Sequence, residues 1–223
     1  MMQRIFDVVF TSLALLVLSP LMIPLVIILR FSGEGEIFYR QNRVGINGKS
    51  FGLLKFATML KNSPNLGTGN MTIKNDPRIL PLGNFLRKTK INELPQLLNI
   101  FLGDMSVIGP RPLTQDHFDS YIPSVQQAIA SVRPGLSGIG SIVFRDEEEM
   151  LHEHTDAKQF YKEYISPYKG SLEAWYVKKN GLWTYFTLIV LTVWVIIFSK
   201  SKAVWKIFPS LPNPPVALEK YFL

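Results

Sequence analysis

From Val8 to Leu29 the chain runs VVFTSLALLVLSPLMIPLVIIL, 22 residues without a charge, bounded by Asp7 and Arg30. As a straight helix this is about 33 Å long, enough to cross the hydrocarbon core of a bilayer. Pro20 and Pro24 interrupt it, each removing a backbone hydrogen bond and bending the helix, while Ser19 can re-satisfy a freed carbonyl. A helix bent at Ser19 and Pro20 can enter and return on one face. Cations at both ends, Arg4 before and Arg30, Arg40, Arg43 and Lys49 after, agree with that option. The apolar stretch is too long for a signal peptide and no small-residue cleavage site follows, so the segment is expected to stay on the protein.

A second uncharged run, LWTYFTLIVLTVWVIIF, covers Leu182 to Phe198. Its 17 residues lie at the lower limit for spanning. Lys178, Lys179, Lys200 and Lys202 flank it, and Trp183, Tyr185 and Trp194 suit interfacial depth, so an in-plane helix is expected. The Pro-rich tail after it reads as an extended strap.

The whole chain, 223 residues at 47% hydrophobic, allows one domain with a real core beside the two apolar runs. The expected division is a re-entrant membrane helix over 1–31, a cytoplasmic catalytic domain over 32–181, and an interfacial helix with tail over 182–223. The expected class is α/β, mostly helical with a small sheet or hairpin. Asn47-Gly48 marks the hairpin turn, Phe51 to Met59 a strand, and residues 62–75 a mobile loop. Residues 113–132 and 158–180 read as helices, and SIVF at 141–144 as a short buried strand or loop.

Charge is uneven: residues 34–112 hold 11 Lys and Arg against 5 Asp and Glu, residues 113–174 hold 5 against 10. This favours a local anionic ligand or anionic headgroups over a nucleic-acid stripe, and no aromatic interleaving surrounds Arg87 to Lys90. The absence of cysteine removes disulfides and thiolate chemistry and fits a cytoplasmic face. His152 and His154 beside an acidic run do not share a helix face, which disfavours a metal site there.

The chemistry concentrates in Gly83 to Pro112, GNFLRKTKINELPQLLNIFLGDMSVIGPRP. Leu94, Leu97, Leu98 and Phe101 recur with helical spacing, with Asn92, Gln96 and Asn99 on another face. Pro95 is tolerated only in a first turn and therefore puts Asn92 and Glu93 at or just before a helix N-terminus. Such an end, with Arg87, Lys88 and Lys90 close by, suits a phosphate; a plain capping role for Asn92 and Glu93 accounts for the same spacing. Downstream, Arg111 between two prolines is a stiffly mounted guanidinium, able to grip phosphate oxygens in pairs. Lys55 reads either as an edge-strand lysine or as a further phosphate contact, and Asp76-Pro77-Arg78 as a turn presenting Arg78.

Nearly the whole chain resembles the bacterial sugar transferases, the monotopic phosphoglycosyl transferases. The motifs that carry the resemblance are Ser19-Pro20, YRQNRVGINGK at 39–49, KFATM at 55–59, NDPR at 75–78, LRKTKINELPQL at 86–97, GDMSVIGPRP at 103–112 and RPGLSGIGSIVFR at 133–145. The resemblance implies transfer of a sugar 1-phosphate from a nucleotide diphosphate sugar, a UDP-sugar by preference, to polyprenyl phosphate with Mg²⁺. The setting it implies is the cytoplasmic face of the inner membrane, at the start of a cell-surface glycan or exopolysaccharide. It also implies a re-entrant helix bent at Ser19-Pro20 and an Asp-Glu pair before Leu-Pro-Gln, whose Asp attacks phosphorus.

Two positions depart from that pattern: Asn92 stands where the Asp nucleophile is usual, and Ala57 where an Arg usually follows Lys-Phe. A carboxamide is a poor nucleophile. Glu93 is left as nucleophile, or as base for direct attack by the lipid phosphate, or the chain is a binding relative that regulates a neighbouring enzyme. The expected site is Glu93 and Asn92 at the catalytic position, Glu93 as metal ligand, and Arg87, Arg78, Arg111, Arg145, Lys55 and Arg133 around phosphate. Membrane lipids are expected partners, nucleic acid is not, and a homo-oligomer is left open.

Overall fold

A computed structural model describes residues 2–66, 76–198 and 201–222. Most of the loop expected at 62–75 and the flanking Lys200 therefore lie outside the described residues. The chain is mostly helical with small sheets.

Helix α1, Met2–Arg30, is continuous through both prolines. Pro20 has no N–H for the Leu16 carbonyl one turn earlier, and Ser19 Oγ donates to that carbonyl at 2.7 Å. Val9, Leu13, Leu16, Val17, Ile23 and Ile27 are all exposed. Only 11% of the most apolar stretch is buried, where the core helix of a water-soluble domain would be largely covered. The helix is long and apolar enough to cross a membrane.

Strands β1, Phe38–Val44, and β2, Ser50–Phe56, pair through the expected turn, with Asn47 at φ 57° and Gly48 at φ 71°. Left-handed geometry is what Asn-Gly tolerates best. Helix α2, Pro81–Lys88, starts on a proline and ends on Arg87 and Lys88, a polarity that suits its dipole. A Cβ on Gly83 would fall 2.2 Å from the Thr58 carbonyl oxygen, so only glycine lets α2 pack there. Helix α3, Gln96–Leu102, closes on Gly103 at φ 102°.

By packing, residues Asp7–Asn42 and Gly52–Gly103 form one compact unit and the remaining described residues a second. The core of the first is Leu25, Leu29, Phe56 and Leu86, with Ile37, Leu82, Ile91 and Leu94 packed around it.

In the second unit β3, Ser106–Ile108, is followed by α4, Gln115–Asp119, and α5, Pro123–Ala130. The single helix expected over 113–132 is thus two, because Pro123 can open a helix but not continue one. Strand β4, Gly135–Ser137, pairs in parallel with β3, Ser106 opposite Gly135 and Ile108 opposite Ser137. The segment expected as strand or loop is instead helix α6, Ile139–Val143. Its apolar run is too short for periodicity to separate strand from helix.

Helices α7, Glu147–His152, and α8, Ala157–Phe160, lead through a π turn at Tyr161–Ile165 into α9, Ser166–Lys178. The π turn shifts the hydrogen-bond register just before Pro167, which has no N–H to give. Helix α10, Leu182–Ile197, buries Thr184, Tyr185, Leu188, Leu191 and Val195 and exposes Trp183, Val190, Val193, Trp194 and Ile197. The tail is not extended throughout: α11, Ala203–Ile207, and α12, Val216–Phe222, flank its prolines. Phe208, Leu211, Leu218 and Phe222 join the core built by Ile108, Ile139, Leu172, Tyr176, Tyr185 and Leu188.

Candidate active site

Between α2 and α3 the chain reverses at Lys90, held at φ 60°, an uncommon backbone for a residue with a side chain. A tight turn over Ile91–Glu93 follows, and Pro95 then caps α3. Asn92 and Glu93 thus stand just ahead of a helix that is only seven residues long. The turn separates their fates. Asn92 is 7% exposed and its Oδ1 is buried without a hydrogen-bond partner, whereas Glu93 reaches the surface and meets Lys55 from β2, Nζ to Oε1 3.3 Å.

Lys55 is held by a contact that spacing did not reveal. Asn99 on α3 donates Nδ2 to the Gly52 carbonyl at 2.9 Å and accepts from the Leu54 amide at 2.9 Å. This buried carboxamide fastens α3 to β2 one residue from Lys55, with Glu93 just before α3. In the sequence it was only one member of a polar helix face. Arg87, half-buried, directs Nη1 to Met59 Sδ at 3.5 Å. Ala57, where the resemblance leads one to expect Arg, is buried, its amide bonded to the Ile37 carbonyl at 2.9 Å.

Arg78 is turned into its own loop. It is 5% exposed and grips Asp76 in paired fashion, Nε to Oδ1 2.8 Å and Nη2 to Oδ2 2.6 Å, while Nη1 donates to the Ser63 and Leu66 carbonyls. These contacts hold the loop that carries it.

The second unit carries the other arginines. Arg111 is exposed at the end of β3, beside a shallow cleft walled by Val44, Phe118, Ile129 and Pro134. Its loop is fastened by Arg43 Nη1 to the Pro112 carbonyl at 3.2 Å and by the Val44 amide to the Leu113 carbonyl at 2.9 Å. Gly109 and Gly135 let the Arg111 and Arg133 segments meet, since a Cβ on Gly135 would lie 2.1 Å from the Gly109 nitrogen. Arg133 is half-buried and Arg145, after α6, is exposed. His154 stacks on Phe160 with centroids 3.5 Å apart and meets the Tyr221 hydroxyl at 3.2 Å, a packing role.

Beneath the Arg111 loop lies a buried charged group that sequence reading missed. Glu173 on α9 is 5% exposed, and a Cβ on Gly140 would lie 2.4 Å from its Oε1. Burial pushes its pKa up to about 7, with the main-chain amides of Arg111 and Gly140 and the cations Lys169 and Arg111 pulling the other way. Lys169 pairs with Glu147; burial lowers its pKa, and Glu147 opposes that shift. Nothing in the stretch LEAWYVKK distinguishes this glutamate from a solvated one.

Among the described residues no three His, Cys, Asp or Glu side chains converge on a cation position. A Mg²⁺ bound together with phosphates needs fewer protein ligands, commonly one or two carboxylates, and Glu93, partly exposed, is a carboxylate that could hold one.

Comparison with known proteins places these residues in context. Residues 1–199 match the family described as Bacterial sugar transferase. The exopolysaccharide production protein ExoY of Rhizobium meliloti is 38% identical over 161 residues, 66% of this chain and 71% of that protein. An undecaprenyl-phosphate galactose phosphotransferase of Salmonella typhimurium is 31% identical over 210 residues, 88% of this chain but 40% of that longer protein. A UDP-glucose:undecaprenyl-phosphate glucose-1-phosphate transferase of Escherichia coli is 34% identical over 168 residues, 74% of this chain and 36% of that protein. The chain belongs to the bacterial sugar transferase family.

Proposed function

We propose that this enzyme transfers a sugar 1-phosphate from a nucleotide diphosphate sugar, in the first instance a UDP-sugar, to polyprenyl phosphate. The setting is the cytoplasmic face of the inner membrane, and the product is the lipid-linked start of an exopolysaccharide or related surface glycan. The observation that carries the reading is the Lys55 and Glu93 pair, placed beside Asn92 within KINELPQL on a chain of this family. The relatives' names, sugar-phosphate transferases to undecaprenyl phosphate among them, support the substrate classes. The exposed apolar length of α1 supports the membrane setting.

The chemistry consistent with Asn92 is direct displacement. A lipid phosphate oxygen bonds to the β-phosphorus of the nucleotide sugar as the bond from that phosphorus to the bridging oxygen breaks. The electron pair leaves with the nucleoside monophosphate. Glu93 takes the proton of a singly protonated lipid phosphate, with Lys55 fixing its carboxylate, and would be the residue to hold Mg²⁺. The metal, when bound, offsets phosphate charge. Arg87, in the same compact unit as Lys55 and Glu93, serves the anionic groups.

The test supplies the purified full chain, in vesicles containing undecaprenyl phosphate and with Mg²⁺, with UDP-glucose, UDP-galactose and other nucleotide sugars in turn. Nucleoside monophosphate release that requires the lipid phosphate is the expected result. Lack of release with every donor overturns the reading.

A further inference from the structure

We propose that Asn99 is the positioning residue for the Lys55 and Glu93 pair: its buried carboxamide, hydrogen-bonded twice to the main chain of β2, sets where the turn ahead of α3 meets the strand and so keeps the two charged side chains together. The role in turnover rests on the transferase reading above, and the hold itself on geometry alone.

Asn99 is 2% exposed, with Nδ2 donating to the Gly52 carbonyl and Oδ1 accepting from the Leu54 amide, both at 2.9 Å. A carbonyl on one side and an N–H on the other leave one orientation for the amide. Gly52 and Leu54 are alternate residues of β2, so their main-chain groups open on the same edge of the strand. Ala57, an odd step further on, gives its amide to the Ile37 carbonyl just ahead of β1, which puts the Gly52 and Leu54 groups on the edge away from β1. There the carboxamide takes the place of one peptide group of a third strand.

The seating around it is apolar: Leu97 and Ile100 are buried on the same helix, and Phe56, Leu86 and Leu94 pack in the core of this unit. Apolar contact has no direction and tolerates sliding of a helix over a strand, whereas two oriented hydrogen bonds do not. Lys55 follows Leu54 directly and Glu93 lies in the turn leading into α3, so the register that Asn99 imposes reaches both members of the 3.3 Å pair. No replacement keeps both bonds in place. Leucine strands a buried donor and acceptor, aspartate turns a second acceptor on the Gly52 carbonyl, and glutamine carries both groups one methylene further out. A misplacement of about 1 Å between reacting groups can cost about a hundredfold in rate, so a small shift of α3 is enough to impair turnover.

A water-soluble carbodiimide, which joins an amine to a carboxylate where the two touch, reads the pair without turnover. Applied to the full chain in detergent and followed by peptide mass analysis, it should link Lys55 to Glu93 in the native protein and at least about fivefold less in Asn99→Ala. In vesicles containing undecaprenyl phosphate, with the nucleotide sugar that the native chain turns over, kcat of Asn99→Ala should fall at least about tenfold while KM stays within about threefold. Ile100→Val removes one methylene from the same helix, lowering stability but keeping both hydrogen bonds, and should match the native protein in both readouts. Asn99→Gln serves if the alanine variant does not fold, and should show the same two losses. Absence of the link in the native protein, equal yield in the Asn99 variants, or losses of the same size in Ile100→Val overturn the proposal. A link that depends on Asn99 in a chain that turns over no donor upholds the positioning and removes the transferase reading; turnover that Asn99→Ala retains in full does the reverse.

Discussion

Lys55 Nζ lies 3.3 Å from Glu93 Oε1, a contact between a strand and the turn ahead of a helix that are 38 residues apart in sequence. Both side chains are about one quarter exposed or less, 20% and 26%, so the pair is neither sealed from substrate nor fully screened by water. Replacing Glu93 by Gln keeps its size and removes its charge. Nucleoside monophosphate release should fall at least about a hundredfold while the melting temperature stays within a few degrees. Full activity in this variant, with donor and lipid both present, would sink the mechanism.

Asn92→Asp places a carboxylate where related chains are expected to carry their nucleophile. If turnover follows the proposed direct displacement, with no covalent step through position 92, the rate should change by less than about tenfold and a phosphosugar adduct should become visible by intact mass. A rise of orders of magnitude from a native rate near zero would show that the native chain binds without turning over.

Arg78 and Asp76 form a buried, doubly bonded pair. Arg78→Ala takes the guanidinium from the buried Asp76 carboxylate, which keeps the Arg78 main-chain amide at 3.1 Å, and is expected to destabilise the fold. Denaturant unfolding measures it. Activity per folded molecule should be kept, and a variant that folds normally but binds nucleotide sugar tenfold more weakly would return Arg78 to the binding set.

Stability should also follow the titration of Glu173. Its folded pKa, about 7, lies above its ordinary value of 4.5, so between those values the folded chain binds more protons than the unfolded one. Stability from this group is fully present below pH 4.5 and is lost as pH rises through 7, by an amount on the order of 3 kcal/mol. Glu173→Gln should flatten that slope in urea unfolding series; an unaltered slope would assign it to other groups.

For α1 the expected topology is re-entrant, with a reporter fused ahead of the first residue on the same side as Lys49. Ser19→Ala removes the hydroxyl that satisfies the Leu16 carbonyl and should weaken that bend or its membrane insertion. Labelling of the N-terminus from the opposite face would establish a span.

What was legible in the sequence follows from what is local. The hairpin announced itself in Asn47-Gly48, the long apolar helix α1 in its uncharged run, and the turn before α3 in Pro95, because each depends on a few adjacent residues. The parallel pairing of β3 with β4 was not legible, since three-residue strands carry no periodicity and their register is set by glycines meeting backbone to backbone. The pairing of Arg78 with Asp76, two residues away and buried with it, was not legible either, since the turn around Pro77 does not say which way the two side chains face. Glu173 and Asn99 escaped notice for a related reason: a polar residue on a helix looks solvated until tertiary packing closes over it.

The matched family region stops at residue 199, but the hydrophobic interior does not. Phe222 meets Phe144 edge to face with centroids 5.2 Å apart, the Tyr168 hydroxyl donates to the Pro212 carbonyl, and Trp175 reaches Ser210. A gene shortened to the family's edge would thus strip cover from the residues next to Arg145 and along α9, and its product would enter the membrane pathway with sticky aromatic surface. Homology boundaries and folding boundaries part company here by about two dozen residues, and expression trials that respect the first at the expense of the second should recover aggregate.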